Sequence, residues 1–321
     1  MTLRAIVAGS GWGAHAAQVL ARDPRVELVA VIGRGSDRTR GLAVDLGVPV
    51  IATVDEAVAR SAPQLAVLAV GEDRNAALAE TLVVAGCHVL CAHPVAPTAA
   101  EVKSLAALAQ AKGVLVATDY SLRATAEHEA ARASVAQLGA LMRLAVQFPG
   151  RGLPMALELA LGFGGRATRL LATRSYPPAL ADRVAATPEA FAPSVLVEHD
   201  SGAVSQLVPV THARTSGAYR ILLSAERGSV EARMPAGGAR ELRALREGRT
   251  SEKVLVAPSA GEDPTEGYRA AIGHVVSGFV DAVVNGAEPV APLEIEIAVR
   301  SAWAAIGASL RSGTLADVEE P

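Results

Sequence analysis

Aromatic side chains make up only 3% of the 321 residues, cysteine occurs twice, and the 30 basic residues do not outnumber the 33 acidic ones. Each scarcity removes a class of function. So few rings leave no stacking platform for single-stranded nucleic acid and no aromatic trough for sugars. A formal charge of -3 provides no cationic field for a phosphate backbone or an anionic lipid surface, so neither nucleic acid nor membrane is expected as a partner. Cys87 and Cys91 are too few and too close for a disulfide framework, which points to a reducing, cytoplasmic setting. Long hydrophobic runs are missing as well. The longest uncharged stretch, Thr81–Ala100, contains Gly86, His88, His93, Pro94 and Pro97 and does not read as a membrane span. What is abundant is Ala, Val and Leu within a 50% apolar composition, enough for a large core and suited to helices on a parallel sheet.

The length suggests two domains of roughly 150 residues each. Residues 1–120 alternate apolar runs with helical patterns: strands at Leu3–Ala8, Val26–Ile32, Val48–Ile51, Leu65–Val70, His88–Cys91 and Val114–Ala117. Helices are expected between them, at Ala14–Arg22, up to Leu46, at Val54–Ser61, Asn75–Ala85 and Ala99–Ala111. That order predicts an α/β domain with a doubly wound parallel sheet. Residues 121–321 read as an α+β domain. Helices are expected at Glu127–Leu138 and Leu153–Leu161, with a strand at Arg143–Phe148 between them. A mostly antiparallel sheet follows from the runs Ala172–Ser175, Ser194–His199, Ala203–Val210, Tyr219–Ala225, Ser229–Arg233 and Lys253–Ala257. Helical patterns return at Tyr268–Asn285 and Leu293–Arg311, and these last helices are candidates to pack back on the first domain. A ligand cleft is expected between the domains.

The segment Gly9-Ser10-Gly11-Trp12-Gly13-Ala14 sits at the first strand-to-helix junction. Gly9 permits the tight turn, Gly11 lets the backbone approach a pyrophosphate, and small Ala14 allows close helix–strand packing, with the helix N-terminus facing the phosphates. The second strand ends in Gly33 and Arg34, where NAD enzymes usually carry an acidic residue for the ribose hydroxyl. Arg34, Gly35, Ser36 and Arg38 form instead a turn suited to a 2′-phosphate, which favours NADPH over NADH; Asp37 comes late and lies among cations. Val70 and Gly71, at the end of the fourth strand, are assigned to the same site, because ligands gather at strand carboxyl ends.

The fifth strand runs into Cys91-Ala92-His93-Pro94, which places His93 and Pro94 where a nicotinamide ring should lie. An imidazole with an unperturbed pKa of about 6.5 suits proton donation near neutrality. Tyr120, after the sixth strand, is a second candidate acid, and its neighbour Asp119 a candidate substrate contact or helix cap. A zinc site from Cys87, His88, Cys91 and His93 is not expected, because strand alternation turns His88 away from the other three and the spacing fits no tetrahedral set. His15, His128, His199, His212 and His274 are given no role.

These features resemble the glucose–fructose oxidoreductase/inositol dehydrogenase (Gfo/Idh/MocA) family: the glycine fingerprint, Gly86-Cys87-His88-Val89 leading to His93-Pro94, the helix Thr98–Ala111 and the final helices. Members of that family usually carry Glu-Lys-Pro where this chain has Ala92-His93-Pro94. The chain is more similar to the thiazolinyl imine reductase branch, whose junction reads Glu-His-Pro. The likeness rests on Leu28–Ile32 with Arg34–Arg40, His88-Val89-Leu90 with His93-Pro94-Val95, Tyr120, and Leu157-Glu158-Leu159. Two positions depart from it: Ala92 replaces the acidic residue, and Glu158 stands where Asp is usual.

The resemblance implies an NADPH-dependent reductase of a cyclic C=N bond, with His93 and Tyr120 as proton donors. It implies a free imine substrate or one tethered to a nonribosomal peptide synthetase carrier, and a homodimer formed through the antiparallel sheet. Glu158 could hold Tyr120 or a cationic imine, against the blander reading of a solvated helix position. Arg166, Arg169 and Arg174 read as surface charge or a contact for a carrier phosphate. Two other functions stay open: a dehydrogenase of a hydroxyl or carbonyl compound using His93 as acid and base, and a non-catalytic NADP-binding protein.

Overall fold

The structure is a computed structural model that describes residues 2–150, 152–174, 192–210, 219–234, 241–249, 253–256 and 264–320. Ser175, His212 and Ala257, named above, lie outside these residues. The chain divides into two compact units, Met1–Ser121 with Ala271–Ile297, and Leu122–Ala270 with Ala298–Pro321.

The first unit is built from β1 (Leu3–Ala8), α1 (Trp12–Leu20), β2 (Val26–Ile32), α2 (Asp37–Leu46), β3 (Val50–Ile51) and α3 (Val54–Ser61), followed by β4 (Leu65–Leu68), α4 (Glu72–Val84), β5 (His88–Ala92), α5 (Ala99–Lys112) and β6 (Val116–Asp119). The six strands form a parallel sheet in the order β3-β2-β1-β4-β5-β6. The order reverses between β1 and β4, where such sheets open a crevice at the strand carboxyl ends. β4 is buried at every residue, as a central strand covered on both faces must be, which is why it reads as a continuous apolar run. α5 starts with a capping box in which Thr98 and Glu101 satisfy each other's backbone N–H, and it ends at Gly113 in the left-handed region, φ +66°. Two later helices, α8 (Pro264–Asn285) and α9 (Leu293–Ser312), add their residues 271–285 and 293–297 to this unit. Between them Ala291 O accepts from Thr118 N–H at 2.9 Å.

The second unit contains α6 (Ala126–Ala136), β7 (Leu141–Pro149), α7 (Leu153–Gly164), β8 (Ala167–Thr173), β9 (Ser194–His199) and β10 (Val204–Val210), then β11 (Tyr219–Ala225), β12 (Gly228–Met234), β13 (Glu241–Arg246), β14 (Lys253–Val256) and β15 (Ala316–Asp317). Among the described residues its strands form one nine-stranded sheet, ordered β14-β13-β12-β11-β7-β10-β9-β8-β15. Alternation decides the facing: β11 buries Tyr219, Ile221, Leu223 and Ala225 and turns Arg220 and Leu222 outward. The sheet is antiparallel except that β7 and β10 run parallel. β8 begins at Ala167, five residues before the run read from sequence, because Arg169 interrupts the apolar pattern on its exposed face. β13 and β15 were not foreseen; β13 is rich in charge on its outer side and β15 is only two residues long.

Among the described residues no helix is long and apolar enough to cross a membrane. Leu68 is fully buried at the centre of the first sheet. Leu68→Ala should therefore cost about 2–5 kcal/mol, read as a lower urea midpoint at unchanged slope.

Candidate functional site

The glycine loop has the shape its sequence suggested, with one reassignment. Gly9 adopts φ +110°, and a Cβ there would sit 2.3 Å from Ala69 O, so only glycine fits. Gly11 precedes α1, and a Cβ there would meet nothing within 4 Å; the space over the helix N-terminus is open. The close helix–strand approach falls on Gly13, whose Cβ would lie 3.3 Å from Val7 Cγ1 and 3.4 Å from Ala69 Cβ, whereas Ala14 is half-buried. The indole Nε1 of Trp12 is buried without a hydrogen-bond partner, a donor left open within the loop.

A cavity of about 460 Å³ beside this loop is lined by Gly9, Ser10, Arg34, Ser36, Val70 and Arg74 among others. At the end of β2 a Cβ on Gly33 would come within 2.9 Å of Thr39 Cγ2, so Thr39 fills the space next to the position where an acidic side chain is usual. Ser36 caps α2 by accepting from Thr39 N–H at 3.2 Å. Asp37 is paired with Arg40 Nη2 at 2.6 Å, and Arg40 also donates to Gly35 O. With Asp37 so engaged, the turn presents a net positive charge. Arg38 is exposed on the first turn of α2 and is not among the cavity's lining residues. Arg74, which does line it, falls outside the helix expected from Asn75, because α4 begins three residues earlier, at Glu72. Gly71 adopts φ +99° at the start of α4. The open space at Gly11, the unpartnered indole N–H and the two arginines of the wall, which outnumber its one acid, Asp55, fit the phosphates of a dinucleotide.

At the β5 junction the His93–Pro94 peptide is cis. Two buried polar side chains from distant parts of the chain hold it. Asn75 accepts from Val70 N–H at 3.2 Å and donates through Nδ2 to both Ala92 O and Pro94 O at 3.0 Å. Glu296, on the first turn of α9, accepts from Val95 N–H at 3.2 Å and from the Tyr120 hydroxyl at 2.6 Å. Tyr120 is fully buried, and its ring is stacked on that of half-buried His93 with centroids 5.1 Å apart and planes 10° from parallel. Sequence reading had no means of finding Asn75 or Glu296: one lies in the first turn of an ordinary helix, and the other sits between two isoleucines 200 residues away from the turn it holds. Asp119 accepts from the Ser121 hydroxyl, and burial pushes its carboxyl up to about 7. Cys87 and Cys91 are free, buried thiols; burial pushes Cys87 up to about 12 and Cys91 upward also.

In the second unit Glu158 is fully buried, not solvated, and accepts from Arg123 Nη1 at 2.6 Å. Its Oε2 is buried with no hydrogen-bond partner, and burial raises the carboxyl's pKa against the pull of Arg123. Within its own unit Glu158 is thus held by Arg123, and in the first unit the Tyr120 hydroxyl donates to Glu296. Burial also drives His128 down to about 3, with its ring packed on Phe163 at 5.0 Å. His199 is structural, bridging Gly165 O at 2.9 Å and Ser205 Oγ at 2.6 Å. Arg166 and Arg169 pair with acidic neighbours on the surface, and Arg174 is exposed.

Two outcomes follow from this geometry. Gly11→Ala should fold with stability within about 1 kcal/mol of the parent yet bind NADPH and NADH more weakly by calorimetry, since its Cβ enters the open space. The folded state holds a proton on Asp119 that an unfolded aspartate, at about 3.9, releases, so this carboxyl makes stability fall as pH rises between about 4 and 7. Asp119→Asn should accordingly show a smaller loss of melting temperature than the parent from about pH 5 to about pH 8. Equal slopes would mean that the carboxyl is ionised in the fold.

No curated protein matches the chain. Among solved structures it is similar to an NAD-binding oxidoreductase from Klebsiella pneumoniae, at 18% identity and TM-score 0.83, with 100% of both chains covered. An oxidoreductase from Agrobacterium radiobacter in complex with NAD+, L-tartaric acid and magnesium gives 14% identity and TM-score 0.83, covering 99% of each chain. Biliverdin reductase from Synechocystis, in complex with biliverdin and NADP+, gives 17% identity and TM-score 0.77, covering 96% of this chain and 99% of that one. At such identities the likeness is one of fold. Residues 3–120 match the model of the Gfo/Idh/MocA family, described as oxidoreductase family, NAD-binding Rossmann fold.

Proposed function

We propose that the chain is an NAD(P)-dependent oxidoreductase of the Gfo/Idh/MocA type, and more narrowly an NADPH-dependent reductase of a cyclic C=N bond. The observation that carries this reading is His93, half-buried at the carboxyl end of β5, its ring laid against Tyr120. When bound, NADPH supplies a hydride to the imine carbon. His93 gives a proton to the nitrogen, so one C–H and one N–H bond form as the C=N bond becomes a single bond. An imine nitrogen is basic enough to take its proton from an imidazolium, which is left as neutral imidazole, so the lysine usual in the family is dispensable. Of the two candidate acids His93 is preferred, because the Tyr120 hydroxyl hydrogen is directed at Glu296. Ser10, Arg34, Ser36, Val70 and Arg74 hold the coenzyme's phosphate end, with Arg38 an outer cation. The pairing of Asp37 by Arg40 and the crowding of Gly33 by Thr39 support the phosphorylated coenzyme, as does NADP+ held on this fold in the Synechocystis enzyme.

The finer parts of the reading are a thiazoline-like substrate, free or tethered to a nonribosomal peptide synthetase carrier during siderophore assembly, with Asp119 and Glu158 as substrate contacts. They rest on the sequence resemblance. The two free, buried thiols suit a reducing, cytoplasmic compartment. A homodimer through the outer face of the nine-stranded sheet is supported by Leu222, Ala145, Gln206 and Leu196, which follow one another across four strands; Leu222 and Leu196 are 43% and 39% exposed. A dehydrogenase of hydroxyl compounds is the second reading, favoured by the family to which residues 3–120 match.

The deciding experiment supplies NADPH with a panel of cyclic imines and, separately, NADP+ with small alcohols and sugars, following absorbance of the reduced nicotinamide. Turnover with the imines alone is expected; turnover only with the alcohols would replace the first reading by the second. His93→Ala should lower imine turnover roughly 10²- to 10⁴-fold with NADPH affinity nearly intact. The double change Arg34→Ala with Arg38→Ala should weaken NADPH by about tenfold or more and NADH far less. Equal losses would remove the coenzyme assignment.

A further inference from the structure

Glu296 makes two contacts at once, and both lead to His93. Its Oε2 takes the Tyr120 hydroxyl at 2.6 Å, within the range of charge-assisted bonds, and its Oε1 takes Val95 N–H at 3.2 Å. Tyr120 is the ring on which the imidazole rests, and Val95 is two residues beyond His93, past the cis peptide. One fully buried side chain thus restrains both the chain that carries the imidazole and the surface it lies on. A single neutral acceptor could satisfy the phenol at a lower cost of desolvation. Only a group with two acceptor oxygens takes both hydrogens, because glutamine would turn its NH₂ toward one of the two donors.

We propose that Glu296 is a positioning residue for the reaction at His93, setting the tilt and depth of the imidazole through Tyr120 and Val95 without touching substrate or coenzyme. Asn75 holds the same turn from the side of α4 through Ala92 O and Pro94 O, so it fixes the backbone while Glu296 fixes the ring. The proposal rests on His93 being the acid, but its physical part can be read without turnover.

The test uses the full chain with histidine-labelled NMR in the absence of ligands. A ring stacked at this distance shifts the imidazole carbon-bound protons, and the His93 signal among the seven histidines is assigned by its loss in His93→Ala. In Glu296→Gln and in Tyr120→Phe the His93 signal should move while the other histidine signals stay. With NADPH and a cyclic imine, Glu296→Gln should lower kcat roughly 10- to 100-fold, as for a misplacement of about 1 Å, with KM and NADPH affinity within about threefold. The double variant Glu296→Gln with Tyr120→Phe should be no slower than the worse single variant, because both act through one contact. Glu296→Asp, which keeps the charge and shortens the arm, should show the same signs if the glutamine variant does not fold. A His93 signal unmoved in every folded variant, a loss in KM instead of kcat, or losses that multiply would overturn the proposal. If the signal moves as expected but the parent reduces no imine and oxidises no alcohol, the positional role stands and the reductase reading falls.

Discussion

The short turn that leaves β5 is the constraint on which the proposed chemistry depends. A strand end is ordinarily free to fray, and a side chain on it free to choose among rotamers. Here Ala92 and Pro94 give their carbonyl oxygens to Asn75, and Val95 gives its N–H to Glu296. Backbone groups that would otherwise need water are satisfied by two buried side chains, one on α4 and one on α9. The imidazole then has a fixed root and, in Tyr120, a fixed floor. For the proton transfer proposed above, a misplacement of about 1 Å would cost as much as about 10²-fold, and these contacts limit such a movement.

The proposed coenzyme end rests on a different physics. There the relevant groups are a helix N-terminus, an open glycine and a set of cations on the surface of a cavity, none of which needs sub-ångström placement. Electrostatic attraction falls off slowly, so in the proposed coenzyme site Arg34 and Arg74 would act from the wall and Arg38 from a turn of helix outside it. What matters is which charges have been cancelled. Arg40 occupies Asp37, and Thr39 crowds the glycine at which a carboxylate would be expected, so the turn keeps its positive sign.

Most of the first unit was legible because its signals are local. Thr53, Thr98 and Gly113 punctuate helices by their own hydrogen bonds and dihedral angles, and the apolar runs are buried throughout β4 and at Ala5–Ala8, Ala30–Ile32 and Val89–Cys91 of β1, β2 and β5. Strand boundaries drifted by one or two residues where polarity did not change, as at Val70, which lies beyond β4. The second sheet was harder. Its strand β13 alternates charge with apolar residues, and the parallel pairing of β7 with β10 depends on chain connections that no window of sequence contains. The sequence left Glu158 open between a buried contact and a solvated position for the same reason: the partner that makes its burial tolerable, Arg123, lies on a different element.

From the order of residues alone came the alternation of strand and helix, the glycine turn, the missing acidic residue after β2 and the histidine that closes β5, all features whose physical cause acts within a few neighbours along the chain. Folding decided which groups meet: Asn75 with the turn after β5, Glu296 with both Tyr120 and Val95, Arg123 with Glu158. Hydrogen bonds between residues as much as 200 positions apart leave no period or composition to read, because their geometry exists only once the sheets and helices have packed.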